Sequence, residues 1–491
     1  MSGNGRSGFA RRVAAVVGAS VLAVAGVVAF AGPASAAPAN VPTDPGSLTI
    51  HKYEQPSPVG GANDSGEEIP VPAGWVPLGG VNFSYQPIDV DLTTTEGWDA
   101  VEGYVSDPGS APLTGSPVTV TTAADGSASV SSLAVGAYLV TELVSPGATA
   151  GGEPVTITQM AAPFVVTIPI PTGEGTWNSD VHVYPKNSIT TVSKVPGAPA
   201  GAGLGETVPW TITIDIPQLA DGQSYSDFRV TDTLDAKLAF ASTTSVTIGG
   251  ADVTPTETVN GQTVQWVFDA VAINTGQGQV LEIVFDTTVV ATGAIENTAD
   301  VWINDPGMTG TPITTPVATT YWGAVSILKH AAGEVANTLE GAQFAVYATE
   351  AEAAAGAEAG RIAVTRDAAG AVIPAQTVFT TGADGTVLIP GLFAGNSTDA
   401  DPIERTYYLR EIAAPAGYEL TETPIPVTVT AAGVATPVVM AIPNPQLPAF
   451  PLPMTGGDGA LMFAVAGVAI LLTALGAAII IIRRRNAQRA E

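Results

Sequence analysis

The chain has no cysteine. Disulfides, thiolate metal sites and cysteine nucleophiles are therefore excluded, and any covalent reinforcement must use other side chains. Basic residues are scarce too, 17 Lys and Arg against 45 Asp and Glu, for a formal net charge of −28. A surface of that sign repels phosphate backbones, so no nucleic-acid partner is expected, and the acidity reads as a solvated, self-repelling exterior. Only three histidines occur, His51, His182 and His330, with no triad or zinc-ligand spacing, so neither a hydrolase nor a bound metal or other cofactor is expected. The acidic stretches DSGEE (64–68) and STDADP (397–402) lack EF-hand spacing and read as solvated loops. With only 13% charged residues in 491, the chain is too apolar to be disordered and long enough for about three domains.

Both ends are apolar. Arg6, Arg11 and Arg12 precede VAAVVGASVLAVAGVVAF and then Ala34-Ser35-Ala36, which is the order of a secretory signal peptide over 1–36. Residues 460–482 form an unbroken apolar or small-residue run of about 34 Å as a helix, enough to span a bilayer, and Arg483, Arg484 and Arg485 keep its end cytoplasmic. Before it stands Leu452-Pro453-Met454-Thr455-Gly456, and pentapeptide, span and basic tail in that order resemble the cell-wall sorting signal of Gram-positive surface proteins. The resemblance implies that a sortase cleaves between Thr455 and Gly456 and passes the threonyl carbonyl to an amine. PNPQLPAFP (443–451) reads as a stiff spacer ahead of that site.

Between the ends, runs such as PFVVTIPI, PWTITIDI and PIPVTVTAAG predict an all-β chain. Helical periodicity is nearly absent, apart from TEAEAAAGAEAG (349–360), a short helix or a polar loop. Four landmarks recur in order: LTIHKYE, GVNF, ADG and AYLVTELVSP in the first third; VSILKHA, GAQF, ADG and TYYLREIAAP in the last. Two domains of one fold are expected, flanking a β-sandwich of related or different kind that begins with TTVSKVP. The expected divisions are 37–187, 188–318 and 319–447, followed by spacer, sorting signal, span and tail over 448–491.

Of five lysines, Lys52, Lys186, Lys194, Lys237 and Lys329, three end a domain's first strand. Strand alternation puts Lys52 in phase with Leu48 and Ile50, Lys194 with Val192, and Lys329 with Val325 and Ile327. Glu142, Asp232 and Glu411 fall on inward phases by the same test, as do Asn187 (through Pro185), Asn297 and Asn444. Each domain thus collects one inward lysine, acid and asparagine. A buried, neutral amine is a nucleophile, a buried carboxyl can relay protons, and a carboxamide is an acyl donor that loses ammonia. The expected products are isopeptide bonds Lys52–Asn187, Lys194–Asn297 and Lys329–Asn444, promoted by Glu142, Asp232 and Glu411. The competing reading of each trio is an ordinary, satisfied polar cluster. Lys237 has no such trio and reads as a surface residue.

The same residues resemble the major (backbone) subunit of sortase-assembled Gram-positive pili. TYYLREIAAPAGYEL matches that family's E-box through Tyr407, Leu409, Glu411, Ala414, Pro415, Gly417 and Tyr418, with Ile412 where threonine is usual. AYLVTELVSPG is a degenerate copy through Tyr138, Glu142 and Pro146. WNSDVHVYPKN matches the pilin motif through Trp177, Val181, Val183, Tyr184, Pro185 and Lys186. The resemblance implies tandem immunoglobulin-like sandwiches of the collagen-adhesin type, the middle one of the fimbrial isopeptide-forming kind. It implies that a pilus-specific sortase joins Lys186 of one subunit to Thr455 of the next, giving a non-closing, head-to-tail fibre. Identical subunits, accessory or tip pilins, a wall-anchoring sortase and peptidoglycan are the implied partners, and the pilus on the cell wall the implied location, with the precursor held transiently in the plasma membrane. Such a chain is a structural sortase substrate and not a turnover enzyme. The alternative is a monomeric wall-anchored adhesin, which has no need of a pilin motif.

Overall fold

Val-, Ile- and Thr-rich segments form strands along most of the chain, because β-branched side chains are stiff at χ1 and pack well on a pleated surface. The computed structural model describes residues 40–56, 65–172, 175–449 and 458–487. The signal segment 1–36 and the pentapeptide Leu452–Gly456 lie outside the described residues.

In the first region, Gly46–His51 pairs parallel with Asp180–Val183 and antiparallel with Ser127–Leu133. A four-stranded sheet, Phe164–Ile168, Gly136–Leu143, Asn82–Pro87 and Val118–Thr121, packs its inner face against them. Leu48, Ile50, Phe83, Val140, Ile168 and Val181 are fully buried in the shared core, each contributing about 1.5–3 kcal/mol relative to exposure.

The middle region is a sandwich of two five-stranded sheets. One runs Val192–Pro196, Thr207–Asp215, Val280–Val289, Leu238–Ile248, Ala251–Asp252; the other Thr256–Asn260, Thr263–Val267, Phe228–Thr233, Ala299–Ile303, Ile313–Thr314. In the last region the long strand Ala318–Ala331 pairs antiparallel with Thr386–Asn396 and parallel with Val438–Asn444. Phe379–Thr380, Gln343–Tyr347, Glu404–Ala413 and Ile425–Thr430 form its second sheet. Gly293–Asn297 leaves the middle sheets and pairs antiparallel with Ala318–Ala331, and one continuous core runs through both regions. The division expected at 318/319 therefore falls at the head of a strand that ties the two together.

Helices outside the terminal segments exceed the sequence expectation. Thr95–Ser106 is an α-helix, capped by Thr94 Oγ1, which accepts from Gly97 N, and its Val101 packs with Ile88, Leu92 and Val165. Gly97 and Gly103 dilute its periodicity, so tertiary packing, not propensity, holds it. Ala270–Thr275 adds a short helix, and the ambiguous 349–360 contains Glu350–Ala355, closed by a Thr349–Glu352 capping box and left-handed Gly356. At the C-terminus Asp458–Ala487 is helical, and its segment Leu461–Arg485 is long and apolar enough to cross a membrane.

Candidate functional site

The four repeated landmarks converge on one place in each outer region. Lys52 N donates to Gly126 O, and Lys329 N to Gly385 O, both at 2.8 Å. These glycines end the two ADG landmarks, at φ +77° and +71°, and a Cβ on either would stand 2.4 or 2.7 Å from the carbonyl oxygen of the lysine it backs. Only glycine fits that turn. The phenylalanines of GVNF and GAQF lie beneath the ammonium groups, with Phe83 5.6 Å from Lys52 Nζ and Phe344 5.5 Å from Lys329 Nζ. Strand register then sets Phe83 opposite Glu142 and Phe344 opposite Glu411.

The asparagines arrive by parallel pairing in a common register. Asn187 is the partner of Glu54, two residues beyond Lys52; Asn444 is the partner of Ala331, two beyond Lys329. Pro185 does not interrupt this pairing, because its carbonyl is the group used, accepting from Tyr53 N at 3.2 Å.

In the first cluster Lys52 Nζ donates to Glu142 Oε2 (2.9 Å) and Asn187 Oδ1 (2.5 Å), while Asn187 Nδ2 donates to Glu142 Oε1 (2.5 Å). One carboxylate thus touches the amine with one oxygen and the amide nitrogen with the other. Ala161 N donates to Asn187 Oδ1 and Glu142 Oε2, both at 3.0 Å. In the last cluster Lys329 Nζ donates to Asn444 Oδ1 and lies 3.4 Å from Glu411 Oε1, which accepts from Asn444 Nδ2 at 2.7 Å. Thr421 supplies the extra donors there, N to Glu411 Oε2 and Oγ1 to Asn444 Oδ1, each at 3.0 Å. Burial pushes the Lys52 ammonium down to about 8 against the opposing pull of Glu142, and lowers that of Lys329 against Glu411.

The middle cluster is built differently. Lys194 Nζ pairs with Asp232 Oδ2 and donates to Thr298 O at 3.1 Å, over the rings of Trp210 and Phe285. Burial lowers Lys194 to about 8 and raises Asp232, each opposed by the other's charge. Asn297 is buried beside Asp232, yet both of its amide atoms and Asp232 Oδ1 lack a hydrogen-bond partner among the described residues. It sits on Gly293–Asn297, which pairs with the next region's long strand, so here the asparagine does not come from a last strand lying beside the first.

Lys186 and Asn187 face opposite ways, but unequally. Asn187 is fully buried, whereas Lys186 is half-buried, its Nζ 4.2 Å from the ring centroid of Trp75. Burial alone lowers its pKa, and among the described residues no carboxylate pairs with it. The expected outward presentation is thus modified by a Trp75 roof. Trp177 of the same motif packs against Trp98. Thr455, the other half of the expected linkage, is outside the described residues. Lys237 is part-exposed, 3.6 Å from Asp235 Oδ2 and donating to Ala294 O. Ala161 N, Thr421, Thr298 O and Trp75 escaped sequence reasoning; Thr122 and Thr381, each three residues before its ADG aspartate, brace the same turns through Leu78 O and Leu339 O.

Residues 43–188 match the family model of the Gram-positive pilin subunit D1, N-terminal domain, and residues 323–441 match that of the prealbumin-like fold domain. The chain is 33% identical to fimbrial subunit type 2 of Actinomyces naeslundii over 98% of each chain. It is 32% identical to fimbrial subunit type 1 of Actinomyces viscosus over 97% of this chain and 98% of that one. Among solved structures, the full-length major pilin SpaD from Corynebacterium diphtheriae aligns with a TM-score of 0.64 and 25% identity, covering 84% of this chain and 99% of that one. Two-sheet sandwiches in tandem, a C-terminal apolar helix and likeness to fimbrial subunits along nearly the whole length agree, and the chain belongs to the Gram-positive major pilin family, as a structural subunit of a cell-surface pilus.

Proposed function

We propose that the chain is the shaft subunit of a covalent fibre, joined through Lys186 and Thr455 and reinforced by three internal Lys–Asn bonds. The observation that carries this reading is the divided environment of two adjacent residues. Lys186 is half-buried without a carboxylate partner among the described residues, while Asn187 is sealed into a cluster with Lys52 and Glu142. In the fibre step, the sortase thiolate displaces Gly456 from the Thr455 carbonyl, and Lys186 Nζ, once deprotonated, displaces the thiolate. One peptide bond is exchanged for one isopeptide bond.

Within the first cluster, neutral Lys52 Nζ attacks Asn187 Cγ. Glu142 takes a proton from Nζ through Oε2 and returns one to Nδ2 through Oε1, and Nδ2 leaves as ammonia. The negative charge that grows on Oδ1 is met by Ala161 N. Lys329, Asn444 and Glu411 carry out the same exchange, with the single oxygen Oε1 facing both nitrogens and Thr421 Oγ1 as the oxyanion donor. Lys194, Asn297 and Asp232 supply the same groups in the middle, and the unpartnered Asn297 amide is the one that amide exchange would consume. Three bonded regions, 37–187, 188–318 and 319–447, would then stand between export signal and sorting signal. A pilus-specific sortase, a wall-anchoring sortase, accessory pilins and peptidoglycan are the partners this reading requires.

Pili stripped from the wall and digested test the linkage. A branched peptide carrying the Thr455 carbonyl on Lys186 Nζ is expected. Thr455 found on another lysine would overturn the assignment.

A further inference from the structure

The pilin-motif strand carries a second constellation that polymerisation does not use. His182, between Val181 and Val183, pairs in parallel register with Thr49, which brings its ring against that of His51. His51 Nε2 and His182 Nδ1 are 2.8 Å apart, and together with a Glu68 carboxylate oxygen they form a group whose ligand atoms all lie within 4.8 Å of one another. The three donors come from three separate segments, so no spacing in the sequence announces them. The acidic loop that read as merely solvated contributes one.

This cluster is supported from behind. The loop carrying Glu68 is tied to the motif strand by His182 N and Asn178 Nδ2, both donating to Gly66 O, and by Ile69 N, which donates to the Tyr184 hydroxyl at 2.9 Å. The Tyr184 ring stacks on His51, with centroids 4.7 Å apart and planes 8° from parallel. His182 Nε2, the ring nitrogen turned away from His51, lies 3.5 Å from Asp180 Oδ2. A carboxylate behind one imidazole nitrogen orients the ring and makes the other nitrogen a better ligand.

We propose that His51 Nε2, His182 Nδ1 and Glu68 form a site for a divalent transition metal of the Zn2+ class. Two neutral imidazoles and one carboxylate are the donors such ions take, whereas Ca2+ and Mg2+ need more oxygen ligands than the cluster offers. Zn–N bonds of about 2.0–2.1 Å put two ligand nitrogens roughly 3.3 Å apart, so the rings open by about half an ångström as the metal replaces their shared hydrogen bond. Bound metal would clasp the first strand, the motif strand and the 65–69 loop, with its ligand His182 four residues before Lys186 in the chain. This inference is independent of the internal Lys–Asn bonds and of the fibre linkage.

The test uses the untagged full-length chain in detergent, with Zn2+ as the probe. The chain has three histidines, so its imidazole proton resonances can be followed without mutation. One equivalent of Zn2+ should shift the His51 and His182 signals and leave His330 unmoved, and Ca2+ should move none. By calorimetry the chain should bind one Zn2+, with affinity reduced at least about tenfold in Glu68→Gln and in Asp180→Asn, and lost in His51→Gln. Near-ultraviolet circular dichroism checks that each variant is folded; the wild-type spectra decide if one is not. Unmoved His51 and His182 signals, or equal shifts at all three histidines, would overturn the proposal.

Discussion

Replacing Glu411 by Gln removes the proton relay of the last cluster while sparing its shape. Glu411 Oε1 faces both Lys329 Nζ and Asn444 Nδ2, and Oε2 accepts from Thr421 N. A glutamine retains an oxygen for Thr421 but has no acidic proton to pass, so Lys329 should remain a free amine. The lost bond joins positions 115 apart. A cross-link closing a loop of that size constrains the unfolded chain by about 5 kcal/mol. At about 2–4 °C per kcal/mol, the unfolding of this region should fall by about 10–20 °C. Lys329, left in its buried site without a carboxylate, adds to the loss. Intact mass reads the chemistry directly: the variant should be about 17 Da heavier than the parent after allowing for the substitution itself, because one ammonia is retained. Calorimetry reads the stability. A variant keeping the parent's full mass deficit would refute the role given to Glu411, and an unchanged melting temperature would refute the energetic argument.

The wild-type chain, purified from a host without sortase, should weigh about 51 Da less than its processed sequence, one ammonia per bond; a deficit of about 34 Da would single out a cluster that does not react. Thr421→Val removes the hydroxyl donor to Asn444 Oδ1 and should slow closure of the last bond by about 100-fold, followed by mass against time after synthesis; an unchanged rate would dismiss Thr421 as an oxyanion donor. Asn187→Ala leaves Lys52 an amine whose folded pKa, about 8, lies below its ordinary 10.5. Between those values the unfolded state binds more protons, so this variant should gain stability as pH rises from about 8 to 10.5, with the penalty fully present below 8. Urea unfolding, referenced to a Lys52→Met/Asn187→Ala double variant, checks this, and a flat difference would contradict it.

Strand alternation reached far into the clusters because it needs only residue type and phase. Lys52, Glu142, Asn187, Lys194, Asp232, Asn297, Lys329, Glu411 and Asn444 all sit at inward phases, and all are buried. Two kinds of information were beyond it. Backbone donors such as Ala161 N have no residue signature, and Trp75 and Thr421 reach their sites through loops whose closure the sequence does not encode locally. Sheet membership was the other. Ile295, Asn297, Ala299 and Val301 share one phase, yet the chain changes sheets between Asn297 and Ala299, which alternation alone cannot register. Thr95–Ser106 escaped for a related reason, since its two glycines weaken the local signal and its stability comes from the sheet it covers.

Covalent polymerisation through one particular amine is the central claim of the proposed function. Lys186→Arg keeps the positive charge over Trp75 and removes the nucleophile, because guanidinium does not deprotonate in proteins. Immunoblots of wall extracts from cells carrying this variant should lose the high-mass ladder while the exported monomer stays at its wild-type level. A ladder that persists in Lys186→Arg would contradict the account.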